Sequence, residues 1–438
     1  MADFAISSDP AVQQQLDRLA TLSPGADILG LERISALLER LGNPHHALPS
    51  VFHVAGTNGK GSTCAFLRAA IEASGRKVHV YTSPHLVRFN ERIRIAGSLI
   101  EDDLLASLLA QVLDIAEGIS PSFFEVTTAA AFLAFARTPA DACIIEVGLG
   151  GRLDATNVLE RPLICGIAQL GLDHQQFLGE RIEQIAAEKA GIAKPGVPLV
   201  TQHYPASQAN EIGRVVRSVG ALWLAKGGAW DASAYRGKLH YRDESGELEL
   251  PLPRLPGAHQ ATNAALAVAM LRHQHALEMP PASLRAAMGW AEWPARLQRL
   301  ATGPLSALLP PGSELWLDGG HNPAAGRAIA DFFRNRLAPG RAFHLILGML
   351  ANKDLRGFLE PFAGSGVHIY AVPVPGHAHH DAADVIATAG SLGLTAGAAK
   401  DAPSALQDIA AQDAPVVLIG GSLYLAGTVL VANDTLPA

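Results

Sequence analysis

Short, continuous apolar runs alternate with helical stretches along most of the chain. Four runs in the first half are typical of strands buried inside a parallel sheet, at 51–55, 78–81, 142–147 and 163–168. Helical periodicity or Ala-rich composition predicts helices at 10–20, 31–41, 60–74, 101–118, 124–137 and 259–275. This alternation predicts an α/β fold with a doubly wound, mostly parallel sheet.

The pattern changes twice in the second half. Between about 228 and 255 the runs become short and alternating, which predicts a β meander. Beyond a Pro-containing linker at 290–296, apolar strands recur near 315–318, 342–347, 367–371 and 416–419. We therefore predict an N-terminal ATPase-like α/β domain over 1–294 and a smaller, Rossmann-like α/β domain over 295–438.

Composition narrows the class of protein. The 438 residues are 49% hydrophobic and 17% charged, which is typical of a soluble globular protein, and the net charge of −7 argues against a nucleic-acid partner. Cys64, Cys143 and Cys165 lie in apolar surroundings, which predicts buried thiols in a reducing compartment. We find no signal-peptide pattern at the N-terminus and no apolar run of membrane-spanning length. These features predict a cytoplasmic protein without a membrane partner.

A glycine-rich turn joins the first predicted strand to the helix after it. Its glycines let backbone N–H groups converge on an anion, the helix N-terminus adds a favourable dipole, and a lysine supplies a mobile cation. The spacing departs from the common phosphate-loop motif, since the turn contains Gly56, Thr57, Asn58, Gly59, Lys60, Gly61 and Ser62 in that order. The alternative is an ordinary turn without a ligand, but a strand before it and a helix after it favour nucleotide binding.

Polar side chains lie at the carboxyl ends of other predicted strands, where parallel sheets bind ligands. Glu146 interrupts an apolar strand, and a buried carboxylate needs a partner. Ser83 and His174 follow two further strands. A hydroxyl, a carboxylate and an imidazole are candidate ligands for Mg²⁺ facing a triphosphate. The alternative for His174 is a capping or core histidine.

Further candidates have open alternatives. Composition alone predicts that Lys189, near a helix end, is a solvated lysine. Asp154, on the loop after the third strand, fits a substrate contact or an ordinary turn equally well. Asp318 fits ribose binding or turn chemistry, His321 fits phosphate or acid–base work, and Arg296 fits stabilisation of a transferring phosphoryl group.

As a set, these motifs resemble the Mur-ligase superfamily, and within it the folate-directed branch of dihydrofolate and folylpolyglutamate synthases. Gly61 is informative, because peptidoglycan-building members usually carry Thr or Ser after the loop lysine and folate-directed members carry Gly. The matching stretches cover nearly the whole chain, at 29–33, 54–63, 83–92, 124–125, 146–157, 172–174, 188–192, 259–264, 296–298, 318–323, 348–354 and 421–424.

The resemblance implies an ATP-dependent amide ligase. The γ-phosphoryl group of ATP would pass to a substrate carboxylate, and the amino group of L-glutamate would then attack the acyl phosphate. The implied acids are 7,8-dihydropteroate and reduced folates, and the products are the amide, ADP and phosphate. The implied enzyme is a monomer that uses ATP and two Mg²⁺ ions.

The resemblance also implies residue roles. The ATP phosphates would lie on Thr57, Asn58, Gly59, Lys60, Gly61 and Ser62, with Lys60 on the transferring group. Ser83 and Glu146 would hold one Mg²⁺ and His174 a second. Lys189 matches a carbamylated lysine, His321 matches a residue near the phosphates, and Asn263, Arg296 and Asp318 match ATP contacts. The pterin-substrate pocket would contain Leu29, Gly30, Ser122, Phe124, Leu153, Asp154 and Ala155.

Three alternatives remain at this point. The nearest is a synthase with only one of the two activities. A different class is a kinase or regulatory ATPase that forms no amide. The third is a nucleotide-binding module without catalysis, which the polar residues at the strand ends disfavour.

Overall fold

One large sheet contains the strands of the first half of the chain. The computed structural model describes residues 5–22 and 29–437; residues 1–4, where the N-terminal stretch without a signal-peptide pattern begins, lie outside the described residues. The strands of this sheet are β1 (Ser50–Ala55), β2 (Val78–Tyr81), β3 (Ile93–Ile95), β4 (Ser98–Leu99), β5 (Ala142–Glu146), β6 (Ile164–Ile167), β7 (Pro198–Thr201) and β8 (Leu222–Ala225).

Their spatial order is β4-β3-β2-β5-β1-β6-β7-β8. All neighbours from β2 to β8 are parallel, whereas β3 and β4 form an antiparallel edge. The prediction of an α/β fold with a mostly parallel sheet is confirmed. The central strands are buried on both faces because helices cover both faces of the sheet.

The helices up to residue 292 are α1 (Pro10–Leu22), α2 (Glu32–Arg40), α3 (Lys60–Ala73), α4 (Asp102–Asp114), α5 (Phe123–Arg137), α6 (Gln175–Leu178), α7 (Ile182–Ala190), α8 (Ala206–Val219), α9 (Ala258–Arg272) and α10 (Pro281–Trp290). The helix predicted at 101–118 ends early, at Asp114. The chain then continues in two tight turns, closed by hydrogen bonds from the Ala116 N–H to the Leu113 carbonyl and from the Ile119 N–H to the Ala116 carbonyl, and Gly118 has a φ of 76°. Helix α8 and strands β7 and β8 were not predicted from the sequence pattern.

The two halves of the sheet have separate cores on one face. This face packs against α1, α2, α4 and α5 in one half of the sheet and against α7 and α8 in the other half. On the opposite face, Gly166 of β6 lies against Met270 of α9. Helix α5 is buried almost all round, which explains its weak amphipathic pattern. Cys64, Cys143 and Cys165 are free and buried, as predicted.

The predicted β meander is an antiparallel sheet of β9 (Trp230–Tyr235), β10 (Lys238–Asp243) and β11 (Gly246–Pro251). Its Asp243 is fully buried at the side chain and accepts hydrogen bonds from Arg272 Nε and Nη2 at 2.6 and 2.5 Å. This ion pair ties the meander to the end of α9.

A second sheet follows in the last third of the chain. Its strands are β12 (Gln298–Arg299), β13 (Glu314–Asp318), β14 (Phe343–Leu347), β15 (His368–Ala371), β16 (Thr395–Ala398) and β17 (Val416–Gly420). They lie in the order β12-β13-β17-β14-β15-β16, parallel except for β12. The helices are α11 (Pro323–Arg334), α12 (Leu355–Leu359), α13 (Ala382–Ser391), α14 (Ala402–Ile409) and α15 (Leu423–Ala432).

The backbone divides into two compact units. The first comprises Met1–Arg254 and Gln260–Glu292, and the second Leu255–His259 and Trp293–Ala438. In the described part of the chain, no helix combines the length and the apolar character that crossing a membrane requires.

Phe132, fully buried in α5, provides a test of the first core. We expect Phe132→Ala to lower the free energy of unfolding by about 3–5 kcal/mol, because it removes apolar contacts and leaves a cavity. Leu104→Ala is the matched control, since Leu104 on α4 is 43% exposed and should change stability little. Urea denaturation of both variants measures the difference, and equal losses would contradict this description of the core.

Candidate active site

The phosphate loop, residues 56–62, connects β1 to α3 as predicted. Gly56 and Gly59 have φ values of 152° and 83°, which residues with a side chain rarely adopt. A Cβ at Gly59 would overlap the carboxamide of Asn263, so this glycine also lets α9 approach the loop. Helix α3 begins at Lys60. The N–H groups of its first turn have no intrahelical acceptor and form an anion-binding end.

Lys60 folds back over this loop. Its Nζ donates to the carbonyl oxygens of Gly56 and Thr57 at 3.0 and 3.4 Å. A phosphate oxygen is a stronger acceptor for an ammonium group than a neutral carbonyl. The lysine therefore lies where it can transfer its hydrogen bonds to a phosphate.

The loop is anchored on the segment that follows β6. Thr57 Oγ1 donates to the carbonyl oxygen of Gly171 at 3.0 Å and accepts from its N–H at 3.1 Å. The N–H groups of Thr57 and Asn58 donate to the carbonyl oxygen of Gln169. Ser62 is 3% exposed at the start of α3. These bonds hold the loop against the neighbouring strand without using the N–H groups of the first helical turn.

Glu146 and Ser83 come together beside the loop-bearing strand. Glu146 is the last residue of β5, is 4% exposed, and lies opposite Val54 of β1 in the parallel register. The N–H of Ser83, which follows β2, is 3.4 Å from Glu146 Oε2. A buried carboxylate beside a serine residue suits a hard cation that also takes phosphate and water oxygens.

His174 is neither a core nor a capping histidine. It has φ 51°, precedes α6 without a side-chain cap, and its side chain is 36% exposed. Its Nε2 is 4.0 Å from Asp173 Oδ1. The described residues contain no group of three or more His, Cys, Asp or Glu side chains arranged to hold a metal. Ser83 and Glu146 are thus brought together beside β1.

Lys189 is buried, so the composition-based prediction of a solvated lysine is wrong. It lies near the end of α7 and is only 4% exposed. Burial, together with the charge of Lys60, lowers its pKa from 10.5 to about 7, although carboxylates, among them Asp173 and Asp154, oppose the shift. The side chain is buried because Gly151 packs directly on α7; a Cβ there would overlap the backbone of Lys189. At neutral pH a large fraction of this amine is uncharged and nucleophilic.

The glycine-rich loop, residues 148–155, is organised by Asp154. This aspartate is 2% exposed, and burial raises its pKa. Its Oδ2 accepts from the Leu149 N–H at 2.7 Å, and its Oδ1 accepts from the Thr156 N–H and hydroxyl at 3.0 and 2.5 Å. The Thr156 hydroxyl also lies 2.9 Å from Nε2 of the buried His53 on β1. Both carboxylate oxygens therefore hold the loop in shape, and the neighbouring Ala155 is buried with them.

The remaining candidates for a substrate pocket surround the start of α5. Ser122 caps this helix by accepting from the Glu125 N–H at 3.2 Å. The ring of Phe124 lies against Gly148, where a Cβ would overlap it. Leu29 and Gly30 directly precede α2 and are half-buried, as is Leu153 on the glycine-rich loop.

The candidate nucleotide-binding residues of the second unit lie near the end of β13. Asp318 Oδ1 accepts from the Gly320 N–H at 2.7 Å, which is turn chemistry, and Oδ2 accepts from the N–H of the distant Leu297 at 2.8 Å. Arg296 Nη1 donates to its neighbour's carbonyl at 2.8 Å, and His321 Nδ1 is 2.9 Å from the Gly319 carbonyl oxygen.

Sequence reasoning assigned no role to several residues that shape these sites. Thr156 and His53 support the glycine-rich loop. His259 lies near the charges of Asp318 and Arg296, and burial lowers its pKa. Thr156 and His259 fall inside the motifs quoted above, so the motifs contained a signal for them. His53 appears in the sequence only as one polar residue in an apolar strand.

The fold and the polar residues at this edge of the sheet define a class of enzyme. A phosphate loop, a buried carboxylate beside a serine, and a buried lysine are grouped as in enzymes that bind a nucleoside triphosphate and transfer its γ-phosphoryl group.

Comparison with known proteins narrows the class. No protein-family model matches the sequence. Folylpolyglutamate synthase of Lacticaseibacillus casei is 34% identical over 422 residues, covering 91% of this chain and 92% of the relative. Escherichia coli FolC in complex with DHPP and ADP superposes with a TM-score of 0.86, at 32% identity and 97% coverage of both chains. A bifunctional folylpolyglutamate synthase/dihydrofolate synthase with Mn, AMPPNP and L-glutamate bound gives 0.84, at 31% identity, covering 97% of this chain and 99% of the other.

The chain belongs to the folylpolyglutamate synthase/dihydrofolate synthase family. Members of this family are ligases, and the family resemblance predicted from the motifs is confirmed.

The buried Lys189 predicts a specific dependence of stability on pH in CO₂-free buffer. Between about pH 7 and 10.5 the unfolded lysine is protonated and the folded one is not, so stability rises with pH across this window. We expect Lys189→Met to be more stable than the wild type at pH 7, with a difference that shrinks towards pH 10.5. Chemical denaturation across this range measures it. Lys77→Met, at an exposed lysine, should show no such trend; the same trend in both would refute the assignment.

Proposed function

We propose that this protein joins L-glutamate to 7,8-dihydropteroate and adds further glutamates to reduced folates, with ATP as the phosphoryl donor. A carboxylate oxygen of the acid attacks the γ-phosphorus of ATP, and ADP leaves. The amine of glutamate then attacks the acyl carbon of the acyl phosphate, and phosphate leaves as the amide forms.

The observation that carries this proposal is the convergence of three features at one edge of the sheet. The phosphate loop, the pair of Ser83 and Glu146, and the buried Lys189 all lie at or beyond the carboxyl ends of parallel strands or against the loops that follow them. The family relationship supports the choice of an amide ligase over a kinase or a regulatory ATPase.

In this proposal the phosphate loop binds and orients ATP. Its residues Thr57, Asn58, Gly59, Lys60, Gly61 and Ser62 wrap the phosphates, and Lys60 moves from its backbone acceptors to the transferring group. Asn263 is well placed to contribute, because its carboxamide lies against Gly59. Phosphoryl transfer requires positioning and charge neutralisation rather than covalent chemistry by the protein.

We propose that Ser83 and Glu146 hold a Mg²⁺ ion and that His174 contributes to a second. The buried carboxylate and adjacent serine fit the first ion. The exposed imidazole of His174, with Asp173 nearby, is the weaker fit. Such ions would neutralise phosphate charge during transfer.

Arg296, Asp318 and His321 of the second unit are proposed nucleotide contacts, on the strength of their motifs. The proposed functional domains are 1–294, which binds the phosphates and the acid, and 295–438. The acid would occupy a pocket of Leu29, Gly30, Ser122, Phe124, Leu153 and Ala155, with Asp154 shaping the loop between them. We further propose that the enzyme acts as a monomer in the cytoplasm.

Lys189 is proposed to be carbamylated. Carbamate formation requires an uncharged amine that attacks CO₂, and burial together with Lys60 lowers the Lys189 pKa to about 7. The new carboxylate would orient the acyl phosphate or bind metal, and it would replace a like charge beside Lys60 by an opposite one.

The decisive experiment measures ADP release with Mg²⁺-ATP, adding dihydropteroate, a reduced monoglutamyl folate and a peptidoglycan precursor in turn. We expect turnover with both folate-type acids, and only when glutamate is present. Turnover with one acid would identify a synthase of single activity. ADP release without glutamate or without an acid would refute the proposal.

Two variants make this assay specific to the site. Lys60→Met should lower kcat by roughly 10²–10³-fold, because a preorganised charge at the transferring group is lost. Lys77→Met removes an exposed lysine of the same unit and should leave kcat unchanged.

Carbamylation predicts that turnover falls when CO₂ is removed and returns with bicarbonate. ¹³C-bicarbonate should give a carbamate NMR signal that is absent from Lys189→Met. Activity insensitive to CO₂, together with no labelled carbamate, would exclude the modification.

A further inference from the structure

The first turn of α5, residues 122–125, contacts several different chain segments. Ser122 and Glu125 form a reciprocal cap, in which the Ser122 N–H donates to Glu125 Oε2 at 2.6 Å. The ring of Phe123 packs edge-on against Phe89 at 5.8 Å. This turn is therefore held by a cap within the helix and by aromatic packing outside it.

Glu125 has a second partner outside its own helix. Arg33 Nε donates to the same Glu125 Oε2 at 3.0 Å. The side chains are 22% and 4% exposed, so the ion pair is largely shielded from water. Arg33 lies in the first turn of α2, three residues after Gly30. The pair therefore joins the segment 29–33 to the start of α5.

Phe123 connects this turn to the loop that follows β2. The buried guanidinium of Arg92 lies 5.3 Å from the ring centroids of both Phe89 and Phe123, and its Nε donates to His85 Nδ1 at 2.8 Å. This fixes the loop that follows Ser83.

Phe124 packs between Tyr81, at a centroid distance of 5.9 Å, and Gly148 of the glycine-rich loop. The segments that carry the proposed acid pocket are therefore all connected through one helical turn. The contact to 29–33 includes a pair of opposite charges.

We propose that Arg33 is a positioning residue for the acid substrate, acting through Glu125. The ion pair holds Leu29 and Gly30 at a fixed distance from Ser122 and Phe124, and so sets the width of the pocket. This inference rests on the proposed function. The bonds of this pair join segment 29–33 to the first turn of α5, so the pair governs binding of the acid and not phosphoryl transfer.

Arg33→Gln tests this role by steady-state kinetics. A charge-assisted hydrogen bond of this kind corresponds to roughly 10- to 100-fold in affinity. We expect the KM for dihydropteroate to rise at least about tenfold, while kcat and the KM for ATP stay within about twofold.

Glu125→Gln is the partner variant, because its carboxamide oxygen still accepts from the Ser122 N–H while the charge is lost. It should raise the same KM, and the double variant should show less than the product of the two effects. Arg33→Lys, which retains the charge without the planar fork, should recover part of the loss. Arg214→Gln breaks an exposed Arg–Glu pair on α8 and should change neither constant.

A dihydropteroate KM unchanged in Arg33→Gln would overturn the proposal, as would a parallel rise in the KM for ATP. Thermal melting of each variant separates positioning from stability, because a purely structural role would lower Tm without this selective change. Wild-type turnover with dihydropteroate is measured first, since its absence would reject the proposed function itself and not the role of Arg33.

Discussion

The site depends on the parallel register of four neighbouring strands, β2, β5, β1 and β6. Their carboxyl ends meet at one edge because every pair among them is parallel. Val54 lies opposite Glu146, so the phosphate loop starts two residues beyond the level of the carboxylate. A slip of one residue would turn Glu146 to the other face of the sheet. Burial of both apolar faces prevents that slip, and core packing therefore sets the geometry of the polar edge.

Charge balance at this edge follows from the same burial. The charge of Lys60 lowers the pKa of Lys189, and Lys189 lies where water cannot solvate an ammonium group. Bound triphosphate would supply negative charge to Lys60. Carbamylation of Lys189 would supply more, on the opposite side. In the proposed function the substrates and the modification thus relieve a repulsion between Lys60 and Lys189.

Local features of the chain were predictable from sequence. The strand–loop–helix around Lys60 and the carboxylate at the end of β5 are encoded within a few residues, so their positions follow from pattern alone. Burial of Lys189 was not predictable in this way, because it depends on Gly151, 38 positions earlier, packing on α7. The strands β7 and β8 were missed for a similar reason. Short runs such as 198–201 become strands through pairing with β6.

Carboxylates on loops show a second limit of motif reasoning. Asp154 and Asp318 both lie in motifs for which ligand contacts were expected, yet each uses both oxygens to accept backbone N–H groups. The donors to Asp154 are Leu149 and Thr156, and the donors to Asp318 are Gly320 and the distant Leu297. An ionised carboxylate oxygen can accept more than one hydrogen bond, so binding a ligand and holding the loop are compatible. The hydrogen bonds to the backbone are needed before a ligand can bind, however. A glycine-rich loop has no fixed conformation to bind a ligand until such a carboxylate accepts hydrogen bonds from its backbone N–H groups.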